Sequence, residues 1–173
     1  MRNVGTTFIT FNYDRVLEYF LYNYLTCDRS CSPETAHKLL NDMNIFHVNG
    51  YISSLQDIPI GKTQVDYSEV IQSMRTVWEV PQVKDRSLLG AQELLSESDR
   101  IFVLGTSYIP DNNESIGLNP PTLKGKQFFG TGYKLSKAKT ERVLHSLGLS
   151  AILDPVSIRD VTALDLIEDQ YVL

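Results

Sequence analysis

Short apolar runs alternate along this chain with segments in which apolar residues recur at helical spacing. The β-branched and aromatic run 6–11 predicts a strand, and Asp14 then opens a helix. The apolar residues of this helix fall on one face, which favours a face packed in the core over a surface for ligand stacking. That face consists of Val16, Leu17, Phe20, Leu21, Tyr24 and Leu25.

A second helix and a second strand follow. Ser32 as the cap and Pro33 at the first helical position predict a helix that runs to about Asn41. The run 45–48 predicts the second strand, which closes at the pair 49–50.

The rest of the chain continues this alternation of strands and helices. In chain order we predict a loop over 51–61, helices over 67–78 and 85–96, a strand over 101–104, a loop over 110–121, a strand over 127–129, a helix over 136–147 that Gly148 stops, a strand over 151–153, and a helix that Asp160 or Thr162 opens. The continuous apolar run 101–104 is typical of a strand buried on both faces of a parallel sheet. The alternation predicts one α/β domain over 1–173, with a mostly parallel sheet and helices on both faces.

The composition fits such a domain and excludes several classes of function. Of the 173 residues, 42% are hydrophobic and 21% charged, which is enough apolar surface for a core. The net charge of -5 argues against a nucleic-acid partner. The densest basic cluster, Lys134, Lys137, Lys139 and Arg142, is typical of a solvated helix face. The sequence contains neither a membrane-length apolar run nor a signal-peptide pattern, so we expect a cytoplasmic protein with no membrane partner.

The two cysteines do not indicate a metal site. Cys27 and Cys31 have C-x-x-x-C spacing, and His37 is the nearest imidazole in the sequence. A closed zinc site takes four ligands, usually as two close pairs. We therefore expect two reduced thiols and no bound metal.

Small polar residues follow each of four predicted strands. They stand at 12–14, 47–50, 105–107 and 130–132. Taken singly, each group is typical of a turn or a helix cap. Because ligands of open parallel sheets bind at the carboxyl ends of the strands, the four groups together indicate a pocket.

Gly105, Thr106 and Ser107 suit a phosphate or a ribose. The glycine lets a ligand approach the backbone, and the two hydroxyls can donate to its oxygens. A plain turn from strand to loop is the alternative interpretation.

Three segments, in the same order, resemble the SIR2-like (sirtuin-related) NAD-binding domains. T-F-N-Y-D at 10–14 is similar to their T-Q-N-I-D, H-V-N-G at 47–50 to their H-G, and 101–107 to their strand ending in G-T-S. Two longer segments resemble the prokaryotic and viral branch more closely. They are F-N-Y-D-R-V-L-E-Y-F-L, and F-V-L-G-T-S-Y followed by Asn113 and G-T-G-Y. Those relatives occur in defence systems, and several of them hydrolyse NAD. The resemblance covers most of the chain.

The resemblance implies a Rossmann-like fold, NAD as cofactor, NAD or ADP-ribose as ligand, and NAD glycohydrolase activity, with anti-phage defence as its setting. It places Asn12 against the nicotinamide ribose, where it would help to place an attacking water, and Asp14 near the carboxamide. The Asp14 carboxylate would favour the charge that develops as nicotinamide leaves, and a helix cap is its other possible role. With His47, these two residues form the implied catalytic group. The implied cofactor contacts are Thr10, Asn49, Gly50, Gly105, Thr106, Ser107 and Thr131, with Thr106 and Ser107 facing the phosphates or the adenosine ribose.

The first departure from the family pattern concerns the catalytic histidine. In sirtuins it stands directly before the glycine, where this chain has Asn49. An amide is not a general base near neutral pH. His47 lies two residues earlier and shares the face of Asn49 on a strand, with a buried, hydrogen-bonded histidine as the alternative. Because the four-cysteine zinc module is also absent, protein deacylation is disfavoured.

The second departure is the missing G-A-G-x-S loop, which would precede Phe8. In the family this loop follows a central strand, and loss of that strand would leave backbone groups unpaired at about 1–3 kcal/mol each if buried. We expect that the chain is incomplete at its N-terminus, that a second chain or a second copy completes the sheet, or that the neighbouring strands pair directly. The alternatives to an active NAD hydrolase are a catalytically inactive binding or assembly module and a nucleotide-binding regulator of a larger NADase.

Overall fold

The computed structural model describes residues 5–50, 52–61, 68, 86–149 and 158–170. The chain forms two compact units, Met1–Ala91 and Gln92–Leu173. Apart from residue 68, the helix predicted over 67–78 lies outside the described residues, as does the strand predicted over 151–153. None of the described helices has the length and the apolar character that a membrane span requires.

Among its described residues, the first unit contains two parallel strands. Its elements are strand β1 (Thr7–Thr10), helix α1 (Val16–Asn23) with a π-helical turn after it (Tyr24–Asp28), helix α2 (Pro33–Asp42), strand β2 (Asn44–His47) and the first residues of helix α3 (Arg86–Glu97). The register pairs Thr7 with Asn44 and Thr10 with His47, so both strands end at the same edge. The buried apolar residues of this unit include Ala36, Leu40, Val48 and Ala91.

The residues that begin α1 and α2 act as the sequence predicts. Ser32 Oγ accepts a hydrogen bond from the Thr35 amide at 3.2 Å, and Pro33 lies in the first turn of α2. Asp14 Oδ1 accepts from the Val16 amide at 3.0 Å. Both bonds satisfy amides that have no partner within the helix; Ser32 is the N-cap of α2, whereas Asp14 lies one residue before the N-cap of α1, Arg15.

One row of apolar residues on α1 contradicts the predicted core face. Val16 and Phe20 are each 65% exposed, and Tyr24 is also exposed. Leu17 and Leu21, in the neighbouring row, are half-buried. The two rows lie about 100° apart around the helix, and α1 packs through the leucine row. The prediction that Val16, Phe20 and Tyr24 belong to the core is therefore wrong.

The second unit contains, in its described part, a sheet of parallel strands with helices between them. Its elements are the rest of α3, strand β3 (Arg100–Val103), helices α4 (Pro110–Ser115) and α5 (Pro120–Leu123), strand β4 (Gln127–Thr131), helix α6 (Lys137–Ser146), strand β5 (Ile158–Arg159) and helix α7 (Ala163–Gln170). The strand order β3-β4-β5 puts β4 in the centre. Arg100 pairs with Gln127, and Gly130 pairs with Ile158. The buried apolar residues of this unit include Ile101, Leu118, Leu123, Phe128, Val143, Leu147, Ile158 and Leu166.

The segment 110–121, predicted as a loop, contains α4 and α5 instead. Pro110 and Pro120 each lie in the first turn of a helix, where proline needs no amide partner. Asn119 Oδ1 accepts from the Thr122 amide at 3.1 Å and caps α5. The residues that argued for a loop are therefore helix-start residues, and the prediction is wrong.

The strand β3 is less buried than predicted. Ile101 is buried, but Phe102 and Val103 are only half-buried. Among the described strands, β3 has a neighbour on one side only and β4 has one on each side, which makes β4, in which Phe128 and Thr131 are buried, the more enclosed of the two.

Two later helices begin at predicted residues, and the first of them also ends where predicted. Ser136 Oγ accepts from the Lys139 amide at 3.3 Å at the start of α6, and Gly148 after its end has a φ of 68°, which glycine adopts without strain. Thr162 Oγ1 accepts from the Asp165 amide at 3.2 Å, so Thr162 rather than Asp160 caps α7. The short strand β5 was not predicted.

The C-terminal end of α3 is closed by a lysine from the turn before β4. Lys126 Nζ donates to the carbonyls of Leu95, Ser96 and Ser98. The last carbonyls of a helix have no amide partner and favour a cation. This lysine therefore has a structural role in the second unit.

The prediction of an α/β chain with parallel strands is confirmed. Within the described residues the strands form two sheets, β1-β2 and β3-β4-β5. Each of β1 and β3 therefore has a described strand neighbour on one edge only.

Candidate functional site

A cleft of about 370 Å³ opens at the carboxyl ends of β1 and β2 in the first unit. Its volume lies within the usual range for small-molecule sites. The residues that line it are Thr10, Asn12, Asp14, Val16, Leu17, Phe20 and His47. The structure thus brings together the three predicted catalytic residues and one predicted cofactor contact, Thr10.

The polar wall of this cleft is organised by local hydrogen bonds. Thr10 Oγ1 accepts from the Asn12 amide at 3.1 Å, and Asp14 is held by its bond to the start of α1. The side chains of Asn12 and Asp14 are exposed. A carboxamide and a carboxylate are therefore presented to solvent from a fixed backbone.

The apolar wall comes from the first turns of α1. Val16 and Phe20 are neighbours on the helix surface, and both line the cleft beside Leu17. The cleft thus combines one aromatic ring and two aliphatic side chains with amide and carboxyl groups. This combination suits a flat ring that also carries hydrogen-bonding groups.

His47 closes the inner end of the cleft. It is 6% exposed, its Nδ1 lies 2.8 Å from the carbonyl oxygen of Asn12, and its Nε2 lies 2.7 Å from Glu18 Oε1. Burial lowers its pKa, but the hydrogen bonds to Glu18 and to Asn12 and the negative charges of Glu18 and Asp14 outweigh burial and raise the pKa above its ordinary value. The interpretation of His47 as a buried, hydrogen-bonded histidine is correct.

Glu18 was missed by sequence reasoning. It lies four residues after Asp14, one helical turn further along α1, among apolar and aromatic neighbours. A single carboxylate in such a helix is a signal that a partner lies opposite. The sequence did not identify that partner, because His47 is 29 residues away.

Asn49 and Gly50 lie beside the cleft but are not among its lining residues. Asn49 Nδ2 donates to the carbonyl of Phe11 at 3.1 Å, and the Gly50 amide donates to the carbonyl of His47 at 3.1 Å. His47 and Asn49 thus both contact the residues that follow β1, although Asn49 lies in the turn after β2 and not on the strand. The amide nitrogen of Asn49 ties the two strand ends together.

Arg15 is a second residue that sequence reasoning missed. It is 7% exposed, and one terminal nitrogen donates to the carbonyls of Ser53, Ser54 and Ile58 at 3.2, 2.7 and 2.6 Å. These bonds fix the loop 52–61 against the start of α1. The backbone that carries Asn12 and Asp14 is therefore braced by a buried cation.

The other predicted group lies in the second unit, at the carboxyl ends of β3 and β4. Gly105 has a φ of 65°, in the left-handed region that glycine adopts readily, and its amide donates to Thr131 Oγ1 at 2.9 Å. Thr106 Oγ1 accepts from the Tyr108 amide at 3.3 Å. Gly105 and Ser107 are exposed, and Thr131 is buried. Thr131 therefore supports the loop from inside the unit.

Tyr108 follows this loop and has two unusual properties. Its φ is 53°, which is strained for a residue with a side chain, and it is only 4% exposed. Its hydroxyl is buried and has no hydrogen-bond partner among the described residues. Burial raises the pKa of this hydroxyl, so it stays protonated at physiological pH.

In the described part of the chain, no three or more His, Cys, Asp or Glu side chains are grouped closely enough to hold a metal ion.

Comparison with known proteins gives no independent indication of family. No family model, no curated protein and no solved structure matches this chain.

Proposed function

We propose that this chain is a SIR2-like, Rossmann-like domain that binds NAD and hydrolyses it to nicotinamide and ADP-ribose. The observation that carries the proposal is the cleft at the ends of β1 and β2, which gathers Asn12, Asp14 and His47. These residues come from two sequence segments that resemble SIR2-like motifs, and they line one cavity of suitable size.

The two walls of the cleft support a nicotinamide riboside as the bound part of NAD. Val16 and Phe20 offer an apolar surface to the ring, and Asn12 and Asp14 offer polar groups to the carboxamide and the ribose. The ring of NAD is cationic, and the negative charge of Asp14 favours it. In this assignment the nicotinamide ring packs on Val16 and Phe20. Packing within the unit does not explain the exposure of these two side chains.

The proposed reaction needs water and no further reactant. The water oxygen bonds to the anomeric carbon of the ribose, the bond from that carbon to the ring nitrogen breaks, and its electron pair neutralises the ring. One proton from the water is released to solvent. Asn12 orients the water, and Asp14 stabilises the positive charge that develops on the ribose.

In the second unit, taken by itself, the loop 105–107 is a proposed contact for a phosphate or a ribose. Gly105 and Ser107 are exposed, and the loop has no side chain with a negative charge. Backbone amides and hydroxyls of this kind suit an anionic or polyhydroxylated group.

Calorimetry with NAD and with ADP-ribose, followed by an assay of nicotinamide release, tests the proposal. Wild-type protein should bind both ligands and release nicotinamide. Asn12→Ala should abolish release. The control is Asn41→Ala, at an exposed asparagine on α2, which should leave release unchanged. Unchanged release by Asn12→Ala would remove Asn12 from the site.

A catalytically inactive binding module is the second candidate. Two observations favour it: Asn49 stands where sirtuins have their catalytic histidine, and both ring nitrogens of His47 are engaged. Binding without nicotinamide release would support this candidate or a regulator of a larger NADase. Absence of binding would favour an assembly module and contradict the first proposal.

We also propose that a second chain or a second copy pairs with an open strand edge. Each of β1 and β3 has one edge without a strand neighbour among the described residues, and such edges accept further strands. Light scattering of the purified protein tests this. A cytoplasmic location and a role in anti-phage defence remain part of the proposal.

A further inference from the structure

The pair formed by His47 and Glu18 has an unusual arrangement of donors and acceptors. One ring nitrogen faces the Asn12 carbonyl at 2.8 Å, and the other faces a carboxyl oxygen of Glu18 at 2.7 Å. A carbonyl oxygen and a carboxylate oxygen only accept hydrogen bonds. If Glu18 is ionised, the ring must therefore donate from both nitrogens, and it is an imidazolium.

The only other arrangement that keeps both bonds moves one proton from His47 to Glu18. The ring is then a neutral imidazole that donates from Nδ1 and accepts at Nε2. In both arrangements, neither ring nitrogen has a lone pair available for a water in the cleft. A general base needs such a lone pair within hydrogen-bond reach of the proton that it removes.

The surrounding charges favour the imidazolium. Glu18 reaches the ring from α1, and Asp14 adds negative charge from the turn before α1. Arg15, which lies between Asp14 and Glu18 in the sequence, directs a terminal nitrogen to the carbonyls of the loop 52–61. Against the effect of burial, Glu18, the Asn12 carbonyl and Asp14 hold the pKa of His47 above its ordinary value.

We infer that Glu18 is a positioning residue that keeps His47 doubly protonated and fixed at the inner end of the cleft, so that His47 is not a general base. This inference rests on the proposed function, because it assigns a role within the same cleft. His47 then contributes a fixed positive charge beside Asp14. Hydrolysis relies on Asn12 and Asp14 and does not depend on deprotonation of the imidazole.

Nitrogen-15 NMR of the histidine rings of the full chain tests this inference directly. The chain has 3 histidines, so His37 and His145 are internal references. Near neutral pH, both ring nitrogens of His47 should have the shifts of protonated nitrogens, and His47 should titrate above the ordinary pH range of a histidine. A wild-type His47 with one unprotonated nitrogen near neutral pH would overturn the inference.

Glu18→Gln is the matching variant, and Glu34→Gln is its control. A glutamine amide donates to Nε2 and favours a neutral ring, so the titration midpoint of His47 should move down. Glu34 is exposed at the start of α2 and close to His37, so Glu34→Gln should leave His47 unchanged. An unmoved His47 midpoint in folded Glu18→Gln would contradict the inference. If that variant does not fold, the wild-type titration decides.

These measurements separate the inference from the proposed function, because the titration uses no NAD. If the protein binds no NAD but His47 is doubly protonated, the proposed function is wrong and the inference about the charge of His47 still holds. If nicotinamide release occurs, its rate in the wild type should not follow the ordinary titration of a histidine. A rate that rises as His47 loses a proton would make His47 the base and refute the inference.

Discussion

The ends of the two strand pairs, β1-β2 and β3-β4, are built from different chemistry. The first carries Asp14, Glu18 and His47, whose charges are paired or lie close together. The second consists of a glycine, hydroxyls and backbone amides, linked by a bond between Gly105 and Thr131. Both occupy the position where parallel strands present ligands. The difference shows that similar strand geometry holds a charged, internally bonded site in one unit and an uncharged, open loop in the other.

The difference extends to how each region is braced. Arg15 makes charge-assisted bonds to the loop beside the first region, and such bonds are about twice as strong as neutral ones. Thr131 braces the second region through a neutral bond. We therefore expect the first region to lose more stability than the second when its brace is removed.

The largest expected effect is that of Arg15→Met. The substitution removes a buried cation and leaves three loop carbonyls without their donor, at a cost of about 3 kcal/mol in the free energy of unfolding. Urea denaturation measures this loss. Arg142→Met, at an exposed arginine on α6, is the control and should change stability by less than about 0.5 kcal/mol. Equal effects of the two variants would show that Arg15 does not brace the first region.

A smaller loss is expected for Thr131→Val. Valine keeps the shape but removes the acceptor of the Gly105 amide, at a cost of about 1 kcal/mol. Thr131→Ser keeps the hydroxyl and removes only a methyl group, so it separates the bond from the packing. Thermal unfolding of both variants gives the comparison. A serine variant that is less stable than the valine variant would mean that the methyl group, and not the hydroxyl, fixes the loop.

The smallest expected effect is that of Tyr108→Phe, and its sign is opposite. The variant removes a buried hydroxyl without a partner among the described residues, so stability should rise by up to about 1 kcal/mol. The same unfolding experiments measure it. A loss of stability would indicate that the hydroxyl has a partner in solution, such as a water or a ligand, and the second region would then be more than a loop of small residues.

The predictable features of the fold are those decided by neighbouring residues. Ser32, Ser136 and Asp14 bond to amides two or three residues away, and the sequence identifies them as residues that begin helices. The residues that bond over long separations were missed. Glu18 and His47 are hydrogen-bonded but lie 29 residues apart in the sequence, and Arg15 and Ile58 lie 43 apart. Pattern and propensity carry no information about such partners.

The other errors came from patterns with two physical outcomes. Pro110 and Pro120 suit both a loop and the first turn of a helix, and the structure uses the second. The apolar residues of α1 form two rows, and periodicity does not tell which row packs inward. For the candidate site, the strand ends predicted that Asn12, Asp14 and His47 converge, whereas the protonation of His47 depends on a contact that only the fold creates.

The π-helical turn Tyr24–Asp28 sets the rotation of α1 relative to the chain that follows. A π-turn contains one residue more than an α-turn, and each residue rotates a helix by about 100°. Deleting one residue from this turn would restore an ordinary helix and shift every residue of α1 by one position. Phe20 would then occupy the half-buried place of Leu21, and Tyr19 would take the exposed place of Phe20 in the wall of the cleft. The extra residue thus decides which of two neighbouring aromatic rings, Phe20 or Tyr19, faces the cleft.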